Sequence, residues 1–525
     1  MRIGQVAAGS PAAWVVTPLF SIPSSSYNRC MHLARTTIFR LSCCRWAAAF
    51  LGLVQCIATA LGVDSNASKN PVERPNIVFI LADDLGYGEL GCYGQTLIQT
   101  PNLDRLAAEG MKFRQFYAGA TVCAPSRSVL MTGQHHGHTR VRGNAAPEGS
   151  GPQRLTANDT TVAKVLQQAG YTTALIGKWG LGMPGDEGIP NRQGFDQFFG
   201  FLSQHHAHNH FPDYLWRNET RVPLPNGVVP VGTNGGGYAT NRVVSADELF
   251  ADEAIKFIDL NRAKPFFLYL SFVIPHANNE RTQALKDGTE VPDLGLYKDK
   301  DWTPQNRGQA AMVTQLDTLV GRVVAHLNTL GLSKNTLVIF TSDNGPHRES
   351  RNDPEFFAAS GPHRGIKRAL TDGGIRVPFI ARWPGKIAAG AVSDHVGYFG
   401  DFMATAAELA KAPVPEGLDS ITIAPTLFGR AKDQAKHRFL YWEFHEGGFK
   451  QAALLDGRWK GLRLKGTAGP IELYDLSTDS NESGNIAATR PEIVKQLDEY
   501  LRTARSESEF WPIKEPKATA AQRPQ

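Results

Sequence analysis

Cysteine is scarce in this chain of 525 residues. Of its six cysteines, four lie within residues 30–56, and only Cys92 and Cys123 come later. Two cysteines cannot form the disulfide framework of a small secreted scaffold, although a single bond between them stays open at this stage. The later part of the chain must therefore be stabilised by a hydrophobic core, and it is long enough to bury a large one.

Acidic residues are absent from the first 60 positions, which contain five arginines. The formal charge of the whole chain is +5, so the residues after position 60 are neutral overall, with 50 basic and 50 acidic side chains. A neutral chain lacks the net positive charge with which proteins bind phosphate backbones. We therefore expect no nucleic-acid partner.

Long apolar runs are also absent after residue 62. Before it, residues 46–62 form one apolar run that follows arginines and contains the small-residue pattern Ala58-Thr59-Ala60. This arrangement is typical of a secretory signal peptide with its cleavage site. We predict a leader and signal peptide at 1–62, with Met31 as an alternative start, and export to the periplasm or the medium. A retained anchor is the alternative, but the run is short for a membrane span, and we expect no stable membrane insertion.

Strand-like and helix-like segments alternate after a polar linker at 63–74. Continuous apolar runs typical of buried parallel strands cover residues 76–82, 172–176, 265–274 and 337–341. Helical periodicity covers residues 160–168, 246–261 and 309–330. This alternation predicts an α/β fold at 75–436, with a large, mostly parallel sheet sandwiched by helices.

The character of the chain changes near residue 437. Short strand-like segments lie between residues 439 and 475, and a helical segment follows at 491–505. We predict a smaller C-terminal α+β domain at 437–512, with an antiparallel sheet and one helix. A polar tail at 513–525 is predicted to be disordered.

Two polar pairs follow predicted strands directly. Asp83 and Asp84 come after the strand at 76–82, whereas Asp343 and Asn344 come after a late one. Adjacent carboxylates repel each other unless a cation lies between them. Three carboxylates and an amide oxygen suit Ca²⁺ or Mg²⁺ better than zinc. Each pair alone is equally compatible with a turn or a helix cap.

The segment Cys-Ala-Pro-Ser-Arg at 123–127 lies between a strand-like and a helix-like run. Pro125 suits the first turn of a helix, so we expect Cys123 at or just before a helix N-terminus. The free N–H groups there favour an anion. Arg127 follows Cys123 by about one helical turn, so both side chains can face one pocket. The five residues alone are also compatible with a buried or merely reactive cysteine.

Residues 123–127, followed by Leu-Met-Thr-Gly at 130–133, resemble the signature of the type I sulfatases. Further motifs extend the resemblance over residues 75–384. It implies an alkaline-phosphatase-like fold and a sulfuric ester hydrolase that acts on a sulfated saccharide or an aryl sulfate. In that family a formylglycine-generating enzyme converts the cysteine to formylglycine before folding, which here implies Cys123. The resemblance also implies that Asp83, Asp84, Asp343 and Asn344 bind Ca²⁺, with Mg²⁺ as the alternative.

The resemblance extends to the groups that would bind sulfate. Arg127 matches the arginine that holds the formylglycine, and Lys178 and Lys367 match two lysines that bind sulfate oxygens. His276 matches a histidine facing the scissile ester oxygen, a candidate proton donor to the leaving alcohol. Cations at these positions would stabilise charge that develops during transfer. Outside this context, such lysines would more commonly be solvated.

One residue departs from the family pattern. The family commonly has Gly-Lys-Trp-His-Leu-Gly, whereas residues 177–182 are Gly-Lys-Trp-Gly-Leu-Gly, with Gly180 in place of the histidine. Histidine clusters at 135–138 and 205–210 are candidates to replace it. We predict that His138 or His208 lines the pocket and binds substrate. His138 would lie about 20 Å from the nucleophile along a straight helix, so it qualifies only if the helix ends early.

The sequence thus predicts an exported, formylglycine-dependent sulfatase that acts on a sulfated sugar. The nearest alternative is a phosphodiesterase or phosphonate monoester hydrolase with the same fold. An alternative of another class is a non-catalytic sulfoglycan-binding protein, of which the change at Gly180 would be the first sign. Retention of the cysteine, both metal pairs and both lysines argues against that alternative.

Overall fold

The computed structural model describes residues 74–144 and 154–513 of the chain. These residues belong to the second of two units into which the chain divides, Val72–Gln525. The predicted leader at 1–62 and the last residues of the predicted tail lie outside the described residues, and their predictions stay untested. None of the described helices is both long and apolar enough to cross a membrane.

The strands are short segments of two to seven residues. They are β1 Asn76–Ala82, β2 Met111–Phe113, β3 Phe116–Tyr117, β4 Thr172–Lys178, β5 Gln197–Phe201, β6 Tyr214–Arg217, β7 Thr220–Pro223, β8 Gly227–Pro230, β9 Gly237–Asn241, β10 Phe266–Ser271, β11 Thr336–Ser342, β12 Phe379–Arg382, β13 Ala391–Ser393, β14 Gly397–Tyr398, β15 Phe439–Phe444, β16 Lys450–Leu455, β17 Trp459–Arg463 and β18 Ile471–Asp475.

The α-helices range from single turns to one long helix of 26 residues. They are α1 Pro101–Ala108, α2 Cys123–Thr132, α3 Val162–Gln168, α4 Gln204–Ala207, α5 Ala246–Asn261, α6 Asn279–Leu285, α7 Pro304–Thr329, α8 Asp372–Ile375, α9 Asp401–Ala410, α10 Ala424–Leu427 and α11 Pro491–Thr503. Helix α7 starts five residues before the predicted segment, because Thr303 and Pro304 begin a polar first turn that lacks the apolar periodicity.

A ten-stranded sheet organises the fold, in the order β13-β2-β12-β11-β1-β10-β4-β5-β6-β7. Its five central strands, β11, β1, β10, β4 and β5, are parallel. Strands β12 and β6 pair antiparallel at either side of this parallel block. The carboxyl ends of β1, β10, β11 and β4 therefore meet at one edge, where ligands bind in open α/β sheets.

Both faces of the sheet are covered, as the continuous apolar runs indicated. Along β1, Ile77, Phe79 and Leu81 pack into one hydrophobic cluster, and the residues between them pack into the other. Helices α2, α3 and α9 cover the first face, whereas α1, α5 and α7 cover the second. The predicted fold class, a large mixed and mostly parallel sheet between helices, is confirmed.

A second sheet of four antiparallel strands, β15-β16-β17-β18, follows the first in the chain. Helix α11 packs on it through Leu497 and Leu501. Buried Lys460 on β17 pairs with Asp372 of α8 at 2.7 Å and with Glu482 at 3.4 Å. This pairing connects the small sheet to the segment after Lys367. The residue limits predicted for the domains stay a prediction.

Candidate active site

Helix α2 begins at Cys123, after an extended Val122. The Cys123 side chain is buried, and its Sγ lies 3.2 Å from Asp83 Oδ1 and 3.9 Å from Asp84 Oδ1. Within the described residues, Cys92 and Cys123 are both free, so they form no disulfide with each other. Burial, with Asp343 and Asp83 nearby, raises the pKa of the Cys123 thiol well above its usual range. With only protein charges around it, Sγ is therefore a neutral thiol.

The two predicted polar pairs meet beside Cys123, because β1 and β11 are neighbours in register. Ala82 pairs with Ser342, so the residues directly after the two strand ends come together. Asp84 donates its N–H to Asp343 Oδ1 at 3.1 Å, and Asn344 Nδ2 donates to Asp84 Oδ1 at 2.7 Å. These four side chains, including Asp83, are fully buried.

The chemistry of this acidic group fits a hard divalent cation. Asn344 Oδ1 is buried, and no described residue donates a hydrogen bond to it. Burial and the neighbouring Asp83 raise the pKa of Asp343 to about 7, since the two carboxylates oppose each other's charge. Asp83 and Asp84 also lie with Cys123 and His276 in a group whose potential ligand atoms are all within 4.8 Å of one another. An unpaired amide oxygen beside crowded carboxylates is a set of ligands that Ca²⁺ or Mg²⁺ would suit.

Arg127 is fully buried and joins several elements of the site. Its Nε and Nη2 donate to Asp343 Oδ2 at 3.1 and 2.9 Å. Its Nη1 donates to the carbonyl of Lys178 at 2.7 Å and to Ser271 Oγ at 2.5 Å. Burial alone would lower the pKa of Arg127, but the negative charge of Asp343 has the opposite effect and the pKa is raised above its usual value. The guanidinium therefore ties α2 to the ends of β4, β10 and β11.

Both predicted lysines are buried rather than solvated. Lys178 Nζ lies 2.5 Å from Asp83 Oδ2, and Lys367 Nζ lies 2.8 Å from Asp84 Oδ2. Burial disfavours each ammonium, but the carboxylate beside it prevails and raises the pKa. Both lysines are therefore charged, and each faces one carboxylate next to Cys123.

His276 follows β10 and lies beside Lys367. Its Nδ1 donates to the carbonyl of Ala277 at 2.6 Å, because a carbonyl can only accept. Its Nε2 then accepts from Lys367 Nζ at 3.2 Å. Burial and Lys367 lower the pKa of His276 well below its usual range. The imidazole is thus neutral, with Nε2 directed at the charged groups of the site.

Glu349 is a site residue that sequence reasoning missed. Its Oε2 lies 2.9 Å from Lys367 Nζ and 3.7 Å from His276 Nε2. Lys367 and the other cations around it lower the pKa of Glu349, against the effect of burial. Its position in the segment after Asn344 was a weak signal, since that segment begins at the binding edge of the sheet. Ser271, which accepts from Arg127, gave no signal because it ends an ordinary buried strand.

Of the two histidine clusters, the structure brings His208 to the site. Its ring stacks on His276 with centroids 5.0 Å apart and planes 10° apart. Its Nδ1 donates to Glu280 Oε2 at 3.0 Å, which leaves Nε2 as the acceptor. Burial lowers the pKa of His208, although Glu280 opposes this effect.

His138, the other predicted substrate-binding residue, is not brought to the Cys123 group. Helix α2 does end at Gly133, whose φ of 68° is left-handed. The prediction required such an early end, because only then could the chain fold back towards Cys123. The chain instead turns towards Asp419, whose Oδ2 accepts from His138 Nδ1 at 2.9 Å. The His138 ring stacks on His135 at 4.0 Å, and both line a separate cavity of about 290 Å³. Its partner Asp419 thus explains the position of His138 without a ligand.

A helix that begins at a buried cysteine among cations and carboxylates, at the carboxyl edge of a covered sheet, is typical of the alkaline-phosphatase-like hydrolases. Residues 75–412 match the family model described as Sulfatase. Residues 364–507 match the model described as N-sulphoglucosamine sulphohydrolase, C-terminal. The chain therefore belongs to the sulfatase family and is a sulfuric ester hydrolase, which confirms the predicted resemblance.

Individual relatives align with this chain over most of their length. The chain is 33% identical to N-acetylgalactosamine-6-sulfatase of Mus musculus, over 87% of this chain and 85% of that protein. It is also 33% identical to arylsulfatase A of Homo sapiens, over 81% of this chain and 86% of that protein. The crystal structure of Ps i-CgsB in complex with k-i-k-neocarrahexaose matches with a TM-score of 0.68 and 26% identity, covering 82% of this chain and 93% of that one.

Proposed function

We propose that this protein is an exported sulfatase that hydrolyses sulfate esters of carbohydrates. Its nucleophile is a formylglycine made from Cys123 by a formylglycine-generating enzyme, and one divalent cation, Ca²⁺ or Mg²⁺, acts with it. The observation that carries the proposal is the convergence of three buried cations, Arg127, Lys178 and Lys367, on the acidic pairs around Cys123. Similarity to a relative named for a sulfated amino sugar and to a structure bound to an oligosaccharide supports the substrate class.

The charges of the site support a metal ion. The three carboxylates of Asp83, Asp84 and Asp343 oppose these three cations, and Glu349 is shared between Lys367 and Arg368. The charges of the protein alone therefore leave the site without an excess of positive charge. A divalent cation would supply that excess and leave a site that attracts an anionic sulfate ester.

Each group of the chain has a distinct task in the proposed reaction. A formylglycine hydrate at residue 123 would supply the attacking hydroxyl. A cation held by Asp83, Asp84, Asp343 and Asn344 would supply the positive charge that stabilises the sulfate oxygens. Lys178 and Lys367 bind further sulfate oxygens and stabilise the charge that develops on them. Arg127 holds the nucleophile-bearing helix and Asp343 in place. Because these groups are buried, water competes little for the sulfate.

His276 is the proposed proton donor to the leaving alcohol. It is neutral without substrate, with its proton on Nδ1. A bound sulfate ester brings a negative charge next to Nε2, which raises the pKa and favours a proton there. Lys367 lies 3.2 Å from Nε2 and keeps its own proton, so it orients the ring towards the sulfate. A proton that Nε2 gains when the anion binds can then pass to the departing oxygen.

The reaction class is tested by comparing substrates on one enzyme preparation. We expect kcat/KM for an aryl sulfate to exceed that for the corresponding aryl phosphodiester. Both are monoanions, but a sulfate monoester offers three non-bridging oxygens to the cations of the site, whereas a phosphodiester offers two and carries a second ester group. A panel of defined sulfated saccharides then identifies the natural substrate. Faster hydrolysis of the phosphodiester would favour the alternative hydrolase. Binding of sulfated saccharides without any turnover of ester would favour the non-catalytic alternative.

His208→Ala is expected to impair saccharide substrates more than a small aryl sulfate. The unprotonated Nε2 of His208 can accept a hydrogen bond from a sugar hydroxyl, and loss of one such bond lowers kcat/KM about 10-fold. The measurement is kcat/KM for both substrate types. His138→Ala is the matched comparison, since Asp419 holds that ring away from Cys123, and both of its rates should stay at the wild-type value. Equal losses on both substrates in His208→Ala would contradict a role in sugar binding.

A further inference from the structure

The volume above Gly180 is filled by the side chain of Gln204, which comes from a different segment. A Cβ built on Gly180 would lie 2.1 Å from Gln204 Nε2 and 2.8 Å from its Cδ. Gly180 also has φ of 79°, in the left-handed region that glycine adopts most readily. A side chain at position 180 and Gln204 in its present position therefore exclude each other. The amide of Gln204 takes the volume that a side chain at this motif position would need.

The Gln204 amide nitrogen is a donor without an acceptor. Nε2 is buried, and no described residue accepts a hydrogen bond from it. Burying an amide N–H group without a partner is unfavourable, and most buried polar groups in proteins are paired. This donor is therefore available to form a hydrogen bond with a bound ligand.

Gln204 is adjacent to two segments that lead to the Cys123 group. It opens α4, and His208 is the C-cap of that single turn with helical backbone angles, so the two residues lie about one turn apart on one face. His208 in turn stacks on His276. On the other side, Gly180 comes two residues after Lys178, whose Nζ pairs with Asp83. The unpaired donor thus lies next to the end of β4 that carries a predicted sulfate-binding lysine.

We propose that Gln204 is a substrate-binding residue whose Nε2 donates a hydrogen bond to an oxygen of the sulfate group. This inference rests on the proposed function and deepens it. The cationic groups already present supply the charge that attracts the anion, so a neutral donor adds a directed hydrogen bond without further charge. Because an amide does not titrate, its contribution is constant with pH, unlike that of a histidine.

The direct test replaces the donor while preserving the shape of the side chain. Gln204→Met keeps the length without a donor, and Gln204→Glu replaces the donor by a carboxylate. We expect kcat/KM for an aryl sulfate to fall about 10- to 100-fold in Gln204→Met and further in Gln204→Glu, which repels the anion. The inhibition constant of inorganic sulfate should rise in the same order. Gln283→Glu, on the exposed face of α6, is the matched control and should change neither value.

A reciprocal exchange tests whether positions 180 and 204 share one volume. Gly180→His alone should lose activity and thermal stability, because its side chain meets Gln204 and because φ of 79° strains any residue other than glycine. The double variant Gly180→His with Gln204→Ala should recover activity relative to Gly180→His. Its pH profile should also gain an ionisation near pH 6.5, from the new imidazole. If the double variant has no higher activity and no higher melting temperature than Gly180→His, positions 180 and 204 do not share one volume.

The outcomes separate this inference from the proposed function. If the wild-type protein hydrolyses no sulfate ester, the proposed function fails. If the wild-type protein is active and Gln204→Met and Gln204→Glu match it in kcat/KM and in sulfate inhibition, the inference alone is wrong. Losses confined to saccharides, with normal aryl sulfate kinetics, would also overturn the assignment of Gln204 to the sulfate group.

Discussion

Cys123→Ser is expected to abolish sustained hydrolysis of sulfate esters, lowering kcat by about 10⁴-fold or more. A serine hydroxyl at this position can attack sulfur once, but the resulting sulfate ester has no second hydroxyl on the same carbon to expel sulfate. The variant should therefore stop after at most one turnover. Burst kinetics with an aryl sulfate, combined with the intact mass of the protein after reaction, measure this outcome.

The same prediction concerns the chemical state of the wild-type protein. Mass spectrometry of the peptide that contains residue 123 should show loss of sulfur and gain of an aldehyde. Protein made without a formylglycine-generating enzyme should be folded but inactive. Cys92→Ser is the matched control and should keep full activity, because Cys92 lies outside the site. Sustained turnover by protein that retains the Cys123 thiol would refute the proposal.

Asp343→Ala is expected to remove both activity and metal-dependent stability. Asp343 accepts two hydrogen bonds from Arg127, so its loss also leaves a buried guanidinium without its main carboxylate partner. After chelation, added Ca²⁺ should raise the melting temperature of the wild-type protein. The gain corresponds to about 4 kcal/mol when the ion is at 1,000 times its Kd. The variant should show little of this rise, and bound metal measured by mass spectrometry should fall with it.

Asp433→Ala serves as the control for that experiment. Asp433 is exposed and forms only a 3.7 Å pair with Arg430, so its removal should leave activity and the effect of Ca²⁺ unchanged. Full activity of the wild-type protein after exhaustive chelation would contradict the proposal that a metal ion takes part. Metal-dependent activity that persists in Asp343→Ala would instead show that the ion binds without this carboxylate.

Much of the site was predictable because its residues lie directly after strand ends. Asp83 and Asn344 are far apart in the chain, but the parallel strands β1 and β11 are in register and bring both residues to one edge of the sheet. The start of α2 at Cys123 was likewise predictable from Pro125, whose fixed φ suits the first turn. The continuous apolar runs indicated that both faces of the sheet are covered. The apolar runs and the helix start depend on interactions local to each segment, whereas the meeting of the two pairs also requires the register between β1 and β11.

The sequence by itself determined the central buried strands, the main helices, the place of Cys123 at a helix N-terminus and the position of both polar pairs directly after strand ends. Only the tertiary structure decided which side chains from distant loops complete the site. It brought His208 to His276 and left His138 with Asp419, and it placed Gln204 over Gly180 and Glu349 beside Lys367. The physical reason is that local periodicity and turn chemistry set where a strand or helix begins and ends. The contact between two loops depends instead on how every element between them packs.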